Sequence, residues 1–255
     1  MKHTVALFCL LLMLTQAPSP QKMSDREQEG FRGPVMKVFE EWSPETEESN
    51  TPIGARCPRE TKTYDQQGRL TSDVLYPGKC GGDGEIREDY SYDKDGNRLE
   101  RHDDSKASGI SVSPPKPPTP SAGGNQNGSY TFRHVFKYDS KGRMNEESVY
   151  SPSGKLKYKL VYKYDSQNRM IEYESVDPDG SVSEKQTFSY NSDERFPSGS
   201  ISIGSHGKPY AKDTYSAYEL NSRGDWIKRR EIQEHLDQPD RAKTIAIVTR
   251  TIEYY

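Results

Sequence analysis

The sequence predicts an all-β fold, an antiparallel meander of consecutive hairpins in one open or partly coiled sheet, with a long flexible hairpin insertion. Three observations predict it. The first is repetition: KYDSKGRM at Lys137 to Met144 returns as KYDSQNRM at Lys163 to Met170, with looser copies YDQQGRL, YDKDGNRL, YNSDERF and LNSRGDW. Tyr138, Tyr164 and Tyr190 are 26 residues apart, and Tyr92 follows Tyr64 by 28, so each repeat holds two strands and two turns. The second is composition: 17 Tyr outnumber 7 Phe and 2 Trp together in a chain only 31% hydrophobic. Tyrosine joins a large apolar ring to a polar tip, which suits a half-exposed sheet better than a helix bundle. The third is alternation of apolar and polar residues between the turns, the period of a strand.

Taken in order, the elements begin with MKHTVALFCLLLMLTQAPS, a basic start, an apolar run and small residues near Ala17. This reads as a signal peptide over residues 1–20, its apolar run too short to span a bilayer. No second apolar stretch follows, so the mature chain is expected to lack a membrane span and to be secreted or periplasmic. Export makes Cys57 and Cys80 an even pair in an oxidising compartment. Their disulfide would close a loop of about 23 residues and contribute about 3 kcal/mol.

The repeat domain is expected over 30–255. Its turns carry Asp65 and Gly68, Asp93 and Gly96, Asp139 and Gly142, and Asp165 and Asn168. The Asp accepts backbone N–H bonds at the start of a type I turn, and Gly takes the positive φ that closes the hairpin. Asn168, in the glycine place, is the next most tolerant residue. Residues 105–129, rich in Pro, Ser and Gly, cannot build a ladder and are expected to form the flexible insertion. Asn127-Gly128-Ser129 within it matches a glycosylation acceptor.

Beyond the insertion, Phe132, His134, Phe136 and Tyr138 are in phase. In KYKLVYKY, Tyr158, Leu160, Tyr162 and Tyr164 share one face and three lysines the other. SPSGKL and DPDGSV supply the intermediate turns, and TIAIVTRTIEYY reads as a β-branched last strand, giving about fourteen strands in sequence order. Within the motif, Tyr138 and Met144 are expected to pack across the hairpin, with Lys137 and Arg143 facing solvent.

The string Tyr-Asp-x-x-Gly-Arg-Leu/Met resembles the YD repeat of the RHS family over roughly Gly33 to Tyr255. Asn168 and Glu194 depart from it in the glycine place, and Leu220 and Asn221 in the Tyr-Asp place. In large members the resemblance implies a long β-ribbon coiled into a shell around a toxin, and carbohydrate binding has been suggested for the repeat. This chain is too short for such a shell.

A net charge of -3 excludes a basic field for nucleic acid. The five histidines have no zinc or nucleophile spacing, so no catalytic residue, metal or cofactor is expected and the chain reads as a non-enzyme. DKDGN at Asp93 to Asn97 is out of register with a calcium loop and reads as a turn, as does DPDG at Asp177 to Gly180. Tyr158, Tyr162 and Tyr164 form a candidate aromatic platform for a ligand, or simply a cross-strand ladder. The function expected is a secreted, non-catalytic module presenting an extended sheet face to a carbohydrate or another surface protein. The alternative is an envelope-polymer hydrolase with carboxylates gathered on one sheet face.

Overall fold

Alternating strands joined by tight turns have only their chain neighbours within reach, so the chain grows as an up-and-down meander. The computed structural model describes residues 22–45, 54–77, 84–94, 96–102, 130–192 and 194–255. The expected signal peptide at 1–20 and insertion at 105–129 lie outside them. A turn of helix, α1 (Asp25–Gln28), precedes β1 (Val35–Pro44), β2 (Cys57–Tyr64), β3 (Leu70–Leu75), β4 (Ile86–Tyr92) and β5 (Arg98–His102). There follow β6 (Tyr130–Tyr138), β7 (Met144–Tyr150), β8 (Leu156–Tyr164), β9 (Met170–Val176) and β10 (Val182–Ser189). The last four are β11 (Gly199–Gly204), β12 (Pro209–Leu220), β13 (Trp226–His235) and β14 (Thr244–Tyr254). β1 pairs antiparallel with both β2 and β14, which makes the sheet a closed barrel of fourteen strands.

Closure corrects the expectation of an open or partly coiled sheet. The seam runs from Val35 opposite Tyr254 to Pro44 opposite Ala246. Left open, β1 and β14 would each present a row of unpaired N–H and C=O groups, and pairing them satisfies both. The thin apolar content pointed away from a closed barrel only on the assumption that the inside must be hydrocarbon. Here it is lined by ion pairs and tyrosines.

Ladder register divides the side chains into two faces. Residues paired around the ring put Glu40, Lys62, Tyr90, Glu100, His134, Glu147, Tyr162, Gln186, Ser200, Asp213, Glu231 and Arg250 on one face. That face is the lumen, because residues 22–34 pack against it. The opposite face of β6 to β10 is a ladder of Lys137 to Glu146 (2.8 Å), Lys163 to Glu172, and Lys185 to Glu172 (2.6 Å).

The Tyr-Asp hairpins gather at one end of the barrel. Asp139 Oδ1 accepts the N–H groups of Lys141 (2.9 Å) and Arg143 (3.0 Å), and Asp165 Oδ1 accepts those of Gln167 and Arg169, both at 2.9 Å. Asp65 accepts from Arg69 (3.0 Å) and Asp93 from Asn97 (2.9 Å). Gly142 sits at φ 80° and Asn168 at φ 66°, the left-handed conformation that the turn demands.

Arg143 corrects a detail of the sequence reading, for it does not face solvent. Its side chain is 13% exposed, tied to Asp139 at 2.5 Å and stacked on Tyr164 of the next hairpin at 4.6 Å. Arg69 on Tyr92 (4.7 Å) and Arg169 on Tyr190 (4.4 Å) repeat the contact. The tyrosine hydroxyls then reach back to the preceding hairpin: Tyr164 donates to Met144 O and Tyr190 to Met170 O (2.7 Å each), while Tyr92, 2.8 Å from Leu70 O, shares its single proton between that carbonyl and Asp25. The motif is thus a clasp between successive hairpins.

Where Leu220 replaces the tyrosine, a bulge restores the hydroxyl half of the clasp, and Phe196 stacks on Tyr218 where the arginine would lie. Ala217 takes φ 51°, the register skips between Ser216 and Glu219, and the Tyr218 hydroxyl donates to Pro197 O at 2.8 Å.

Candidate functional site

The motif end of the barrel is crossed by a strap, residues 22–34. Its helix begins with a capping box in which Ser24 N–H and hydroxyl both donate to Glu27 Oε2 at 2.8 Å. Met23 N–H donates to Gly142 O (2.9 Å) and Arg26 N–H to Gly68 O (3.1 Å). The Asp25 carboxylate accepts from Leu70 N–H (2.7 Å) and the Tyr92 hydroxyl (2.6 Å), while Gln28 donates to the Tyr164 hydroxyl. Lys62 holds Glu29 at 3.3 Å, Phe31 packs edge-on to Tyr64 at 6.1 Å, and Arg32 N–H donates to Asp225 at 2.8 Å. These contacts reach hairpins all around the rim, so the strap spans the mouth.

Between the strap and the wall made by β8 to β11 lies a cavity of about 430 Å³. Phe31, Tyr164, Phe188, Tyr190 and Phe196 give it aromatic walls, with Arg32 and Arg195 beside them. Asp225, 1% exposed, is the carboxylate at this corner; it takes the Arg32 N–H, the Tyr254 hydroxyl (2.8 Å) and Arg195 at 3.6 Å.

Deeper along the wall, His134 is held between two carboxylates. Its Nε2 meets Glu100 at 2.6 Å and its Nδ1 meets Glu147 at 2.5 Å, while Arg98 binds Glu147 at 2.7 Å. Burial opposes charge on the imidazole, but the hydrogen bonds to Glu100 and Glu147 outweigh it and hold the pKa above its ordinary value. Glu147 is shifted the other way: burial raises it, yet His134 and Arg98 bring it below the usual carboxylate range. Glu40 is likewise lowered, its burial outweighed by Arg250, Arg59 and Arg229.

The candidate platform residues all face the lumen. Tyr162 donates to Glu147 Oε2 at 3.2 Å, Tyr164 carries Arg143 on its ring, and Tyr158 is 36% exposed. None of the three belongs to an outer sheet face. Cys57 is buried at the head of β2 and is the one described cysteine, so its expected bridge to Cys80 falls outside the described residues. Most of the strap lies ahead of residue 30, where the repeat domain is expected to begin, so the repeat pattern does not report it. Ser24-Asp25-Arg26-Glu27 is itself a capping-box signature and was the available signal.

No family model and no curated protein matches the chain. Solved structures that resemble it include a porin-like protein from Bacteroides uniformis ATCC 8492, at 12% identity and TM-score 0.45, with 92% of this chain and 100% of that one covered. A porin-like protein from Bacteroides vulgatus ATCC 8482 matches at 12% identity and TM-score 0.37, covering 87% of this chain and 98% of that one. A DUF1329 family protein from Desulfovibrio piger ATCC 29098 matches at 11% identity and TM-score 0.28, covering 86% of each. The barrel itself is established by its own hydrogen-bonded ring.

Several expectations are corrected by that ring. The resemblance to the RHS family does not hold, because its repeat belongs to an open ribbon, whereas here the same turn string closes on itself and no family model matches. A module presenting an extended sheet face is excluded, since the tyrosines meant for that face point inward. A hydrolase with carboxylates gathered on an open sheet face fails as well: Glu40, Glu100 and Glu147 lie inside, each bound by Arg or His. Among the described residues no group of three or more His, Cys, Asp and Glu could hold a metal ion. The expected absence of a membrane span, and with it a secreted or periplasmic location, rested on the lack of a long apolar helix. A closed antiparallel barrel satisfies its backbone without helices, the arrangement by which strands cross outer membranes, so neither expectation survives closure.

Proposed function

We propose that the protein is a non-catalytic barrel whose working surface is its lumen, taking up a small polar or amphipathic solute beneath the strap. One observation carries this reading: ring closure turns the tyrosines and ion pairs inward and leaves a cavity of about 430 Å³ at the strapped mouth. Fourteen strands lie between the eight whose interior side chains just fill and the sixteen to eighteen that leave an aqueous channel. Such a cavity falls within the range of small-molecule sites, about 300–1,000 Å³.

Size-graded thiol labelling of the full chain tests it. Ser175→Cys, on the lumenal face, should react with a small neutral maleimide but not with a bulky polyethylene-glycol maleimide. Thr187→Cys, on the outer face, should react with both. A Ser175→Cys chain closed to both reagents would mean a filled interior and would end the reading.

Closure also favours a second reading, a pore across an outer membrane. The outer Lys–Glu ladder of β6 to β10 would then have to be accommodated, since a lipid-facing Lys costs about 2–4 kcal/mol at the bilayer midplane. Conductance steps in a planar bilayer would support this reading, and their absence at high protein concentration would remove it.

A further inference from the structure

The cavity beneath the strap has walls suited to a ring and a corner with surplus positive charge. Five charged side chains line it, and three are already committed. Arg169 is paired with Asp165 at 2.7 Å and donates to Ser192 O (3.0 Å) and Glu194 O (2.9 Å). Glu27 closes the helix cap, and Glu29 is held by Lys62. Arg32 and Arg195 remain, with Asp225 the one carboxylate between them.

Asp225 does not balance both. Its oxygens already accept the Arg32 backbone N–H and the Tyr254 hydroxyl, and Arg195 approaches only to 3.6 Å while donating to Gly224 O at 2.9 Å. The Arg32 guanidinium pairs with no carboxylate among the described residues. Burial, and then the neighbouring Arg32, make the charge on Arg195 harder to keep. Two guanidinium groups beside one shared carboxylate favour an incoming anion and repel a cation.

We infer that this cavity binds an organic anion with an aromatic or alicyclic body, its ring against Phe188 and Tyr190 and its carboxylate or sulfonate head toward Arg32 and Arg195. The inference rests on the lumenal reading above and names the ligand class for that site. Neutral aromatics would find the same walls but leave the arginines unmatched. Fully polar anions would find the arginines but gain nothing from five aromatic rings.

The test compares 2-naphthoate with its neutral analogue 2-naphthol by titration calorimetry on the full chain. Naphthoate should bind at least about tenfold more tightly than naphthol, as one charge-assisted hydrogen bond implies. Arg32→Gln removes charge without breaking a described contact, and it should weaken naphthoate about tenfold while leaving naphthol unchanged. Arg195→Gln should do the same but also loosen the Gly224 contact, so Arg32→Gln is the deciding variant. Equal affinity for the two compounds, no effect of Arg32→Gln, or no naphthoate binding would each overturn the inference. Thiol labelling separates the two levels: a labelled lumen without naphthoate binding removes only the ligand class, while an unlabelled lumen removes both.

Discussion

Arg143 stacks over the ring of Tyr164, with the guanidinium carbon 4.6 Å from the ring centroid, while the Tyr164 hydroxyl donates to Met144 O at 2.7 Å. Two adjacent hairpins are therefore fastened in both directions by one sequence motif. Because Asp139 fixes the Arg143 fork before it stacks, little side-chain freedom is lost in forming the contact. Arg143→Ala should destabilise the barrel by about 1–3 kcal/mol, combining a half-buried cation–π contact with a charged hydrogen bond. Arg143→Lys should recover less than half of that, since an ammonium cannot both bind Asp139 and cover the ring. Lys137→Ala, on an exposed pair, should leave the stability almost unchanged. Urea unfolding of the three variants checks the order, and equal losses for Arg143→Ala and Lys137→Ala would mean that the clasp is ornamental.

The His134 cluster predicts a pH dependence with a definite sign. With its folded pKa raised above 6.5, His134 contributes stability that is fully present below pH 6.5 and is lost as pH rises through the folded value. His134→Gln should cost about 3–5 kcal/mol at pH 5.5, because the cation that Glu100 and Glu147 share is lost while both carboxylates stay buried. It should also make the decline toward alkaline pH shallower, leaving the part that Asp73 contributes. Denaturant midpoints from pH 5.5 to 8.5 decide this. An unchanged slope in the variant would place the titrating group elsewhere.

The local parts of this fold were legible and the global part was not. Asp139, Gly142, Asp165 and Asn168 announce their turns because turn chemistry is decided within about five residues. Closure depends on Val35 meeting Tyr254 across the whole chain, and no local pattern reports it. The inward burial of Glu40, Glu100 and Glu147 was hidden for another reason. Alternation shows that they share a strand face with tyrosines, but a charged face reads as solvated until its cations are placed opposite. Arg98, Arg59 and Arg250 come from other strands, and only the ring assembles them. The strap was visible as Ser24 to Glu27, but its destination, the rim of the mouth, was not.

Two glycines in equivalent turns should respond differently to the same substitution. Gly68 and Gly96 both sit near φ +80°, so replacing either with Ala costs about 1–2 kcal/mol in backbone strain. A Cβ at Gly96 meets nothing within 4 Å, whereas one at Gly68 would meet the Ser24 hydroxyl oxygen at 2.7 Å. Gly68→Ala should therefore also displace the strap and raise amide exchange across residues 22–34, while Gly96→Ala should leave that exchange unchanged. Mass-resolved hydrogen exchange compares them directly. Equal protection of the strap in both variants would show that it does not depend on its seat against the β2–β3 turn.

Asp73 should make the barrel less stable as pH rises through mild acidity. It lies on the lumenal face beside Lys62, and its Oδ1 is buried without a hydrogen-bond partner. Burial pushes its carboxyl up to about 7, with Lys62 partly offsetting this and Glu60, Glu29 and Glu88 adding to it. A carboxyl whose folded pKa exceeds the unfolded value near 3.8 favours the folded state while protonated, and that advantage is lost as pH climbs from about 4 to 7. Asp73→Asn keeps the shape and removes the charge. It should raise stability at pH 8 by about 1–2 kcal/mol after allowance for solvent screening, and change it little at pH 4. Thermal midpoints at the two pH values test this. A loss of stability at pH 8 would show that the electrostatic attraction of Lys62 outweighs the burial of Asp73.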